Sequence, residues 1–119
     1  MADLSPSIIR FFTERMNSHS RVDHLEQLPH QTDCLFKIHR RDGLPPVTVQ
    51  LSDAYDFGEG EYLAKSSQAD FILVAKPEAR FDESVTRLAQ SDRIGVGRLG
   101  KLMGALNRLE VWRYEKRSE

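Results

Sequence analysis

Polar side chains in the first half of the chain have the types and spacing that metal-dependent phosphodiester hydrolysis uses. That chemistry needs oxygen ligands around Mg²⁺ and a lysine that activates or orients water. Asp33 opens one predicted strand, and Gln50 and Ser52 lie two positions apart on the next, so both point to one face. Glu61 and Lys65 are spaced i, i+4 on a predicted helix and share one side of it. The strand itself offers Ser52 and no lysine, and a serine side chain carries no charge to activate water.

A hairpin must position these residues. Its second strand, Val47–Ser52, places valine and leucine on one face and polar side chains on the other. Its first strand is predicted over residues 33–39. The segment between them, Arg40-Arg41-Asp42-Gly43, is predicted to be a turn, because Asp-Gly supplies the positive φ that tight hairpins require. The two strands are therefore expected to pair antiparallel.

The rest of the chain alternates between helical and strand patterns. An apolar stripe at helical spacing predicts a helix over residues 6–17, and Phe71–Ala75 is apolar throughout, which is typical of a central strand covered on both faces. The other predicted elements are a strand over 22–28, helices over 61–68, 82–90 and 98–107, a short strand over 94–96 and a last strand over 109–114. This order predicts one α/β domain spanning residues 1–119, with a mixed sheet flanked by helices.

The first helix, the hairpin and the helix and strand that follow resemble the αβββαβ core of the PD-(D/E)XK, or restriction-endonuclease-like, fold, with C-terminal helix–strand additions. The chain is most similar to the Mrr-type restriction endonucleases over most of residues 6–107. Asp33 matches their aspartate, and Val49-Gln50-Leu51-Ser52 with Tyr55 matches their glutamine–x–lysine strand and its aromatic neighbour.

The resemblance implies a nuclease fold with Mg²⁺ held at Asp33, but the chain departs from the family at the decisive place. Ser52 stands where the family has its lysine. In the alternative alignment, Thr48 and Gln50 replace both the acidic residue and the lysine. Either alignment argues against catalysis.

Three functions fit these residues. The first is a catalytically degenerate nuclease-like domain that acts as a nucleic-acid-associated binding or assembly subunit, with a protein partner or a second copy of itself. The second is an active Mg²⁺-dependent nuclease using Asp33, Gln50 and a migrated Glu61–Lys65 pair, although such a pair is typical of a solvated helix surface. The third is a protein-binding module, such as an inhibitor or immunity protein, without nucleic-acid contact.

Charge is unevenly distributed along the chain. Residues 1–52 carry six basic and six acidic side chains, residues 53–92 carry four and nine, and residues 93–119 carry seven and three. The basic C-terminal part could track the phosphates of DNA or RNA and stack a base on Trp112 or Tyr114, which share a face of the predicted last strand. The basic residues expected to bind nucleic acid are Arg98, Lys101, Arg108 and Arg113.

Other candidate sites are weaker. Gly95-Val96-Gly97-Arg98-Leu99-Gly100 matches G-x-G-x-x-G by letter, but it lacks the βαβ context of a dinucleotide site, so the glycines indicate a tight strand-to-helix turn. The single Cys34 excludes an intramolecular disulfide and a multi-cysteine zinc site. No cofactor is expected apart from Mg²⁺ in the active alternative. No positively charged segment followed by an apolar one opens the chain, and no apolar run reaches the about 18 residues that a membrane span needs. We therefore expect a reduced, cytoplasmic protein without a membrane partner.

Overall fold

The computed structural model of the chain describes residues 6–28, 35–52, 56–75, 80–81 and 83–113. The helices are α1 (Pro6–Asn17), α2 (Glu59–Leu63), α3 (Glu83–Ser91) and α4 (Leu99–Ala105), followed by a 3₁₀ helix over Val111–Arg113. The strands are β1 (Val22–Leu28), β2 (Leu35–Arg40), β3 (Val47–Ser52), β4 (Asp56–Phe57), β5 (Phe71–Val74), β6 (Arg80–Phe81) and β7 (Gly95–Gly97).

Five strands form one mixed sheet in the order β1-β2-β3-β5-β7. The first three make an antiparallel meander, and β5 and β7 then add parallel to β3. Each parallel connection passes through a helix, α2 before β5 and α3 before β7, as a parallel crossover requires. The two-residue strands β4 and β6 pair with each other in a separate parallel ladder.

Helices cover both faces of the sheet. One apolar cluster joins α1, α4 and the 3₁₀ helix to the sheet face that carries Val49 and Leu73. A second cluster joins α2 and α3 to the opposite face through Ile72 and Val74. Strand β5 feeds both clusters because its alternate residues point to opposite faces, and all four of its residues are buried. The predicted α/β class, the mixed sheet and the central position of the apolar strand are confirmed.

The hairpin also forms as predicted, with one difference. Strands β2 and β3 pair antiparallel, with Leu35 opposite Gln50. At the turn Asp42 has φ 62° and Gly43 has φ 75°, and the Leu44 N–H donates to the Arg41 carbonyl at 3.3 Å. Positive φ at both central residues is the type I′ pattern that Asp-Gly favours. The turn is shorter than predicted, because β2 continues through Arg40, whose side chain is only 8% exposed.

The last strand predicted over residues 109–114 is wrong. Residues Val111–Arg113 form a 3₁₀ helix, and residue 114 lies outside the described residues. Trp112 therefore does not lie on a strand. The alternation of apolar and charged residues misled the prediction because a segment this short fits several local structures. Val111 is buried in the apolar cluster of α1 and α4, and this contact packs the 3₁₀ helix onto the rest of the protein.

Helix boundaries account for the remaining corrections. The predicted helix over 61–68 is instead Glu59–Leu63, and α4 ends at Ala105 before the predicted residue 107. Asp82, the predicted cap of α3, lies outside the described residues, and the short strand is Gly95–Gly97. Strands β4 and β6 were not predicted, because two residues are too few to show an alternating pattern.

Candidate functional site

The candidate site surrounds the polar face of β3, which points toward the layer of α2 and α3. Gln50 and Ser52 are half-buried on this face, and Thr48 is 9% exposed. Their neighbours Val47, Val49 and Leu51 are buried against α1 and α4. The strand therefore presents its polar side chains toward the layer of α2 and α3 and its apolar side chains toward α1 and α4.

Gln50 is engaged in a structural contact. Its Oε1 accepts a hydrogen bond from the backbone N–H of Ser66 at 2.7 Å. Ser66 lies just after α2, and its side-chain oxygen in turn accepts from the backbone N–H of Gln68 at 3.2 Å. The carboxamide of Gln50 thus ties β3 to the chain that leads from α2 into β5.

Glu61 and Lys65 do not form the predicted pair on one helix face. The Glu61 carboxylate accepts from the backbone N–H of Gly58 at 2.8 Å, so it caps the start of α2. Lys65 lies beyond the end of α2, and its Nζ is 4.3 Å from the centroid of the Tyr62 ring. The carboxylate is satisfied at one end of a short helix, while the ammonium packs on an aromatic ring beyond the other end.

The predicted metal-binding set cannot be assembled from the described residues. Asp33, Cys34 and Tyr55 lie outside them. Within the described ranges no group of three or more histidine, cysteine, aspartate or glutamate side chains is placed to hold a metal ion. The proposed role of Asp33 stays a prediction.

A buried tyrosine, which the sequence did not identify as special, anchors α2 to α3. Tyr62 is 1% exposed, and its hydroxyl donates to Asp92 Oδ2 at 2.6 Å. Burial raises the pKa of the Tyr62 hydroxyl strongly, and the hydrogen bond to Asp92 adds to the effect. This phenol holds its proton too tightly to act as a base.

The glycine motif has a packing role. A Cβ built on Gly95 would lie 2.4 Å from Cδ2 of the Phe71 ring, and one on Gly97 would lie 2.5 Å from Cδ of Lys101. The Lys101 side chain crosses Gly97 so that its Nζ can donate to the Val96 carbonyl at 3.0 Å. These glycines permit close packing at a strand-to-helix turn, which was the interpretation preferred from the sequence.

The four predicted nucleic-acid-binding side chains divide between two ends of the sheet. Arg98 and Lys101 lie at the start of α4, where β7 ends. Arg108 and Arg113 follow the other end of α4, and Arg113 pairs with Glu110 at 3.4 Å and lies 4.8 Å from the centroid of the Trp112 ring. Seven residues of helix span about 10 Å, so the structure does not gather the four cations on one patch.

A different basic surface appears on the layer of α1 and α4, which we call the α1–α4 surface (Phe11, Arg15 and Arg98). Helix α1 lies beside α4: Phe11 and Arg98 line the same apolar groove, and the Arg15 guanidinium approaches the Met103 sulfur at 3.9 Å. Phe11 is 55% exposed, with the Arg15 guanidinium 5.8 Å from its ring centroid. Charge counted along the sequence did not indicate this surface, because the six basic side chains of residues 1–52 are matched there by six acidic ones.

The described histidines act within the protein. His19 Nδ1 accepts from the Arg21 N–H at 3.1 Å, which leaves Nε2 to donate to the Met103 carbonyl at 2.8 Å and join α1 to α4. On the β1–β2 pair, the His24 and His39 rings stack with centroids 4.2 Å apart. Hydrogen bonds from these rings lower the pKa values of their carboxylate partners, Asp23 and Glu26.

Comparisons of the chain with models of protein families, with curated proteins and with solved structures found no match. None of the helices in the described part of the chain is long and apolar enough to cross a membrane.

Proposed function

We propose that the chain is a catalytically degenerate, restriction-endonuclease-like domain that acts as a binding or assembly subunit in a nucleic-acid-associated complex. The observation that carries the proposal is the contact between Gln50 Oε1 and the Ser66 N–H. At the position where a nuclease of this type would present a group to metal or water, the chain uses its side chain to hold an adjacent segment. Ser52, two residues further along the same face, brings no charge.

The order of elements supports the likeness in fold. A helix, an antiparallel three-strand meander, a helix and a strand parallel to the third occur in succession, interrupted by the two-residue β4. This is the αβββαβ succession on which the resemblance rests.

The contacts of Glu61 and Lys65 argue against the active alternative. A migrated active site would need the carboxylate and the ammonium to converge on one metal-bound water. Here the Glu61 carboxylate accepts a hydrogen bond from the Gly58 N–H, and the Lys65 ammonium lies over the Tyr62 ring.

The α1–α4 surface supports the nucleic-acid part of the proposal. The Arg15 guanidinium lies over the Phe11 ring, and Arg98 lines the same groove as Phe11. Exposed arginines beside an exposed phenylalanine can contact phosphates and stack an unpaired base. This combination favours single strands over duplex.

The experiment is a binding titration of labelled single-stranded DNA and RNA, with duplex DNA for comparison, at low and at physiological salt. We expect binding to single strands at low salt that weakens as salt increases, because released counterions drive phosphate contacts. Absence of binding to every probe at low salt would contradict the nucleic-acid part and favour the inhibitor-like alternative.

A further inference from the structure

Arg40 is a buried cation whose hydrogen-bond partners within the described part of the chain are all neutral. Its Nε donates to the Pro45 carbonyl at 2.7 Å, and one terminal nitrogen donates to the carbonyls of Leu106 and Arg108 at 3.1 and 2.6 Å. The other terminal nitrogen has a long contact, 3.5 Å, to the Leu109 carbonyl. Carbonyl dipoles satisfy the donors but do not neutralise the charge, and burying a charge without a counter-charge is costly.

Arg40 lines an open cavity of about 240 Å³ between the β2–β3 hairpin and the 3₁₀ helix. Arg93, Asp70 and Trp112 also line it, together with the apolar side chains of Pro46 and Val111. Among the described lining residues two guanidinium groups stand against one carboxylate, a balance of one positive charge. The Asp70 carboxylate is already engaged, because its Oδ2 accepts from the Thr48 N–H at 2.9 Å.

The electrostatic state of Arg40 fits this geometry. Burial lowers the pKa of Arg40, and the nearby Asp70 carboxylate raises it again in part. Among the described residues no carboxylate forms an ion pair with Arg40 within 4.0 Å. An oxyanion in the cavity would supply a counter-charge. It could accept from the terminal nitrogen of Arg40 that has only the long contact to Leu109, and from the Arg93 guanidinium.

The backbone fixes the second arginine at the cavity. Arg93 has φ 61° and follows the end of α3, where the Ile94 N–H donates to the Ala89 carbonyl at 2.8 Å. This is the C-terminal capping pattern in which one residue adopts the left-handed conformation. Arginine is not favoured at such a position, while glycine and asparagine are, so packing of the helix end does not explain the choice of side chain.

The aromatic wall of the cavity limits the class of ligand. Trp112 is half-buried, and the remaining walls include two prolines. The volume lies below the roughly 300 Å³ at which small-molecule sites commonly begin, so a single ring with one charged group fits better than an extended molecule.

We propose that this cavity binds an oxyanion, phosphate or carboxylate, carried on a planar ring that packs against Trp112. The oxyanion contacts Arg40 and Arg93 and supplies a counter-charge for Arg40. The proposal does not depend on the nucleic-acid function, because it concerns a site at the opposite end of the sheet from Arg98.

Trp112 is the single tryptophan of the chain, so its fluorescence reports on this cavity. The probes are phenyl phosphate, which has the ring and the phosphate, benzoate, which has the ring and a carboxylate, and benzyl alcohol and inorganic phosphate, which each lack one part. We expect saturable fluorescence changes with phenyl phosphate or benzoate at millimolar or lower concentrations, and weaker ones with inorganic phosphate or benzyl alcohol. A response to one of the two charged ring probes alone identifies the oxyanion as phosphate or as carboxylate.

Two substitutions with opposite expected effects test the electrostatic basis. Arg93→Asn keeps a residue that tolerates positive φ and should weaken binding about tenfold or more by removing a guanidinium contact. Asp70→Asn keeps an oxygen for the Thr48 N–H and should tighten binding several-fold, because it removes the only carboxylate among the described lining residues. Arg87→Gln, at an exposed position of α3 that does not line the cavity, is the matched control and should leave affinity unchanged.

Two results would overturn the proposal. If neither phenyl phosphate nor benzoate changes the fluorescence, the cavity does not bind this class of ligand. If a response occurs but Arg93→Asn and Asp70→Asn shift it no more than Arg87→Gln does, the ligand lies elsewhere. Circular dichroism of each variant confirms that the fold is retained before the titrations are compared.

Discussion

Gln50 Oε1 accepts a hydrogen bond from the Ser66 backbone N–H at 2.7 Å, which joins the polar face of β3 to the chain leaving α2. Gln50 is half-buried, and loss of its Oε1 leaves the Ser66 backbone N–H without this acceptor. We expect Gln50→Leu to lower the free energy of unfolding by about 1–2 kcal/mol. Gln50→Glu keeps an acceptor oxygen and should cost clearly less. Urea denaturation of both variants measures the difference, and equal losses would contradict a structural role for this carboxamide.

Ionisation of Tyr62 should be suppressed in the folded protein. Its pKa is raised, so the folded state holds the phenol proton more tightly than the unfolded chain, whose tyrosines titrate near pH 10. The stabilisation from this group is complete below about pH 10 and is lost as pH rises toward the folded pKa. Tyrosinate absorbance should show that Tyr62→Phe leaves the native titration near pH 10 unchanged.

The unfolded protein provides the control for that titration. In denaturant Tyr62 ionises normally, so Tyr62→Phe should remove one of the three tyrosine signals there. At neutral pH the substitution also deletes the hydrogen bond to Asp92 and should cost about 1 kcal/mol of stability. A native signal that falls by a third in the variant would show that the hydroxyl titrates freely.

Gly95 and Gly60 should respond oppositely to alanine. At Gly95 the added Cβ would lie 2.4 Å from the Phe71 ring, so Gly95→Ala should destabilise by about 1–3 kcal/mol through overpacking. Gly60 lies within α2, and a methyl group added there would meet nothing within 4 Å, so Gly60→Ala should be neutral or stabilise by up to about 1 kcal/mol. Thermal unfolding compares the two, and a tolerated Gly95→Ala would contradict the packing role of the glycine motif.

Nucleic-acid binding should depend on the α1–α4 surface more than on the C-terminal cations. Removing two phosphate contacts with Arg15→Gln and Arg98→Gln should lower the salt dependence of single-strand binding by about 0.7 per cation. The matched pair Arg108→Gln and Arg113→Gln removes the same charge at the other end of α4 and should change binding much less. The measurement is the slope of log affinity against log salt for both double variants, and a larger effect of the second pair would refute the assignment.

The sequence predicted the parts of the fold that depend on short-range patterns. The alternation of Val47–Ser52 and the apolar run at Phe71 gave two neighbouring strands of the sheet, and Asp42-Gly43 gave the turn, because each pattern reflects local burial or backbone geometry. The prediction of a strand over residues 109–114 was wrong, because the three-residue 3₁₀ helix at Val111–Arg113 is too short to show a clear period of apolar residues.

Site residues were harder to predict because their roles depend on distant partners. Gln50 was identified by its strand position, but its partner Ser66 is 16 residues away and is brought close by α2. Arg40 was assigned to a turn, and its burial results from carbonyls 66 to 69 residues further along the chain. Charge counted along the sequence likewise could not show that α1 and α4 share one layer.

The function proposed above, a catalytically degenerate nuclease-like domain, predicts that the chain does not cleave nucleic acid. The direct measurement is incubation of purified protein with single-stranded and duplex DNA and with RNA, in Mg²⁺ or Mn²⁺, with a chelator control and the Asp33→Ala variant alongside. The account predicts that every substrate stays intact with either metal. Cleavage that requires the metal and is abolished by Asp33→Ala would contradict it and establish the active alternative.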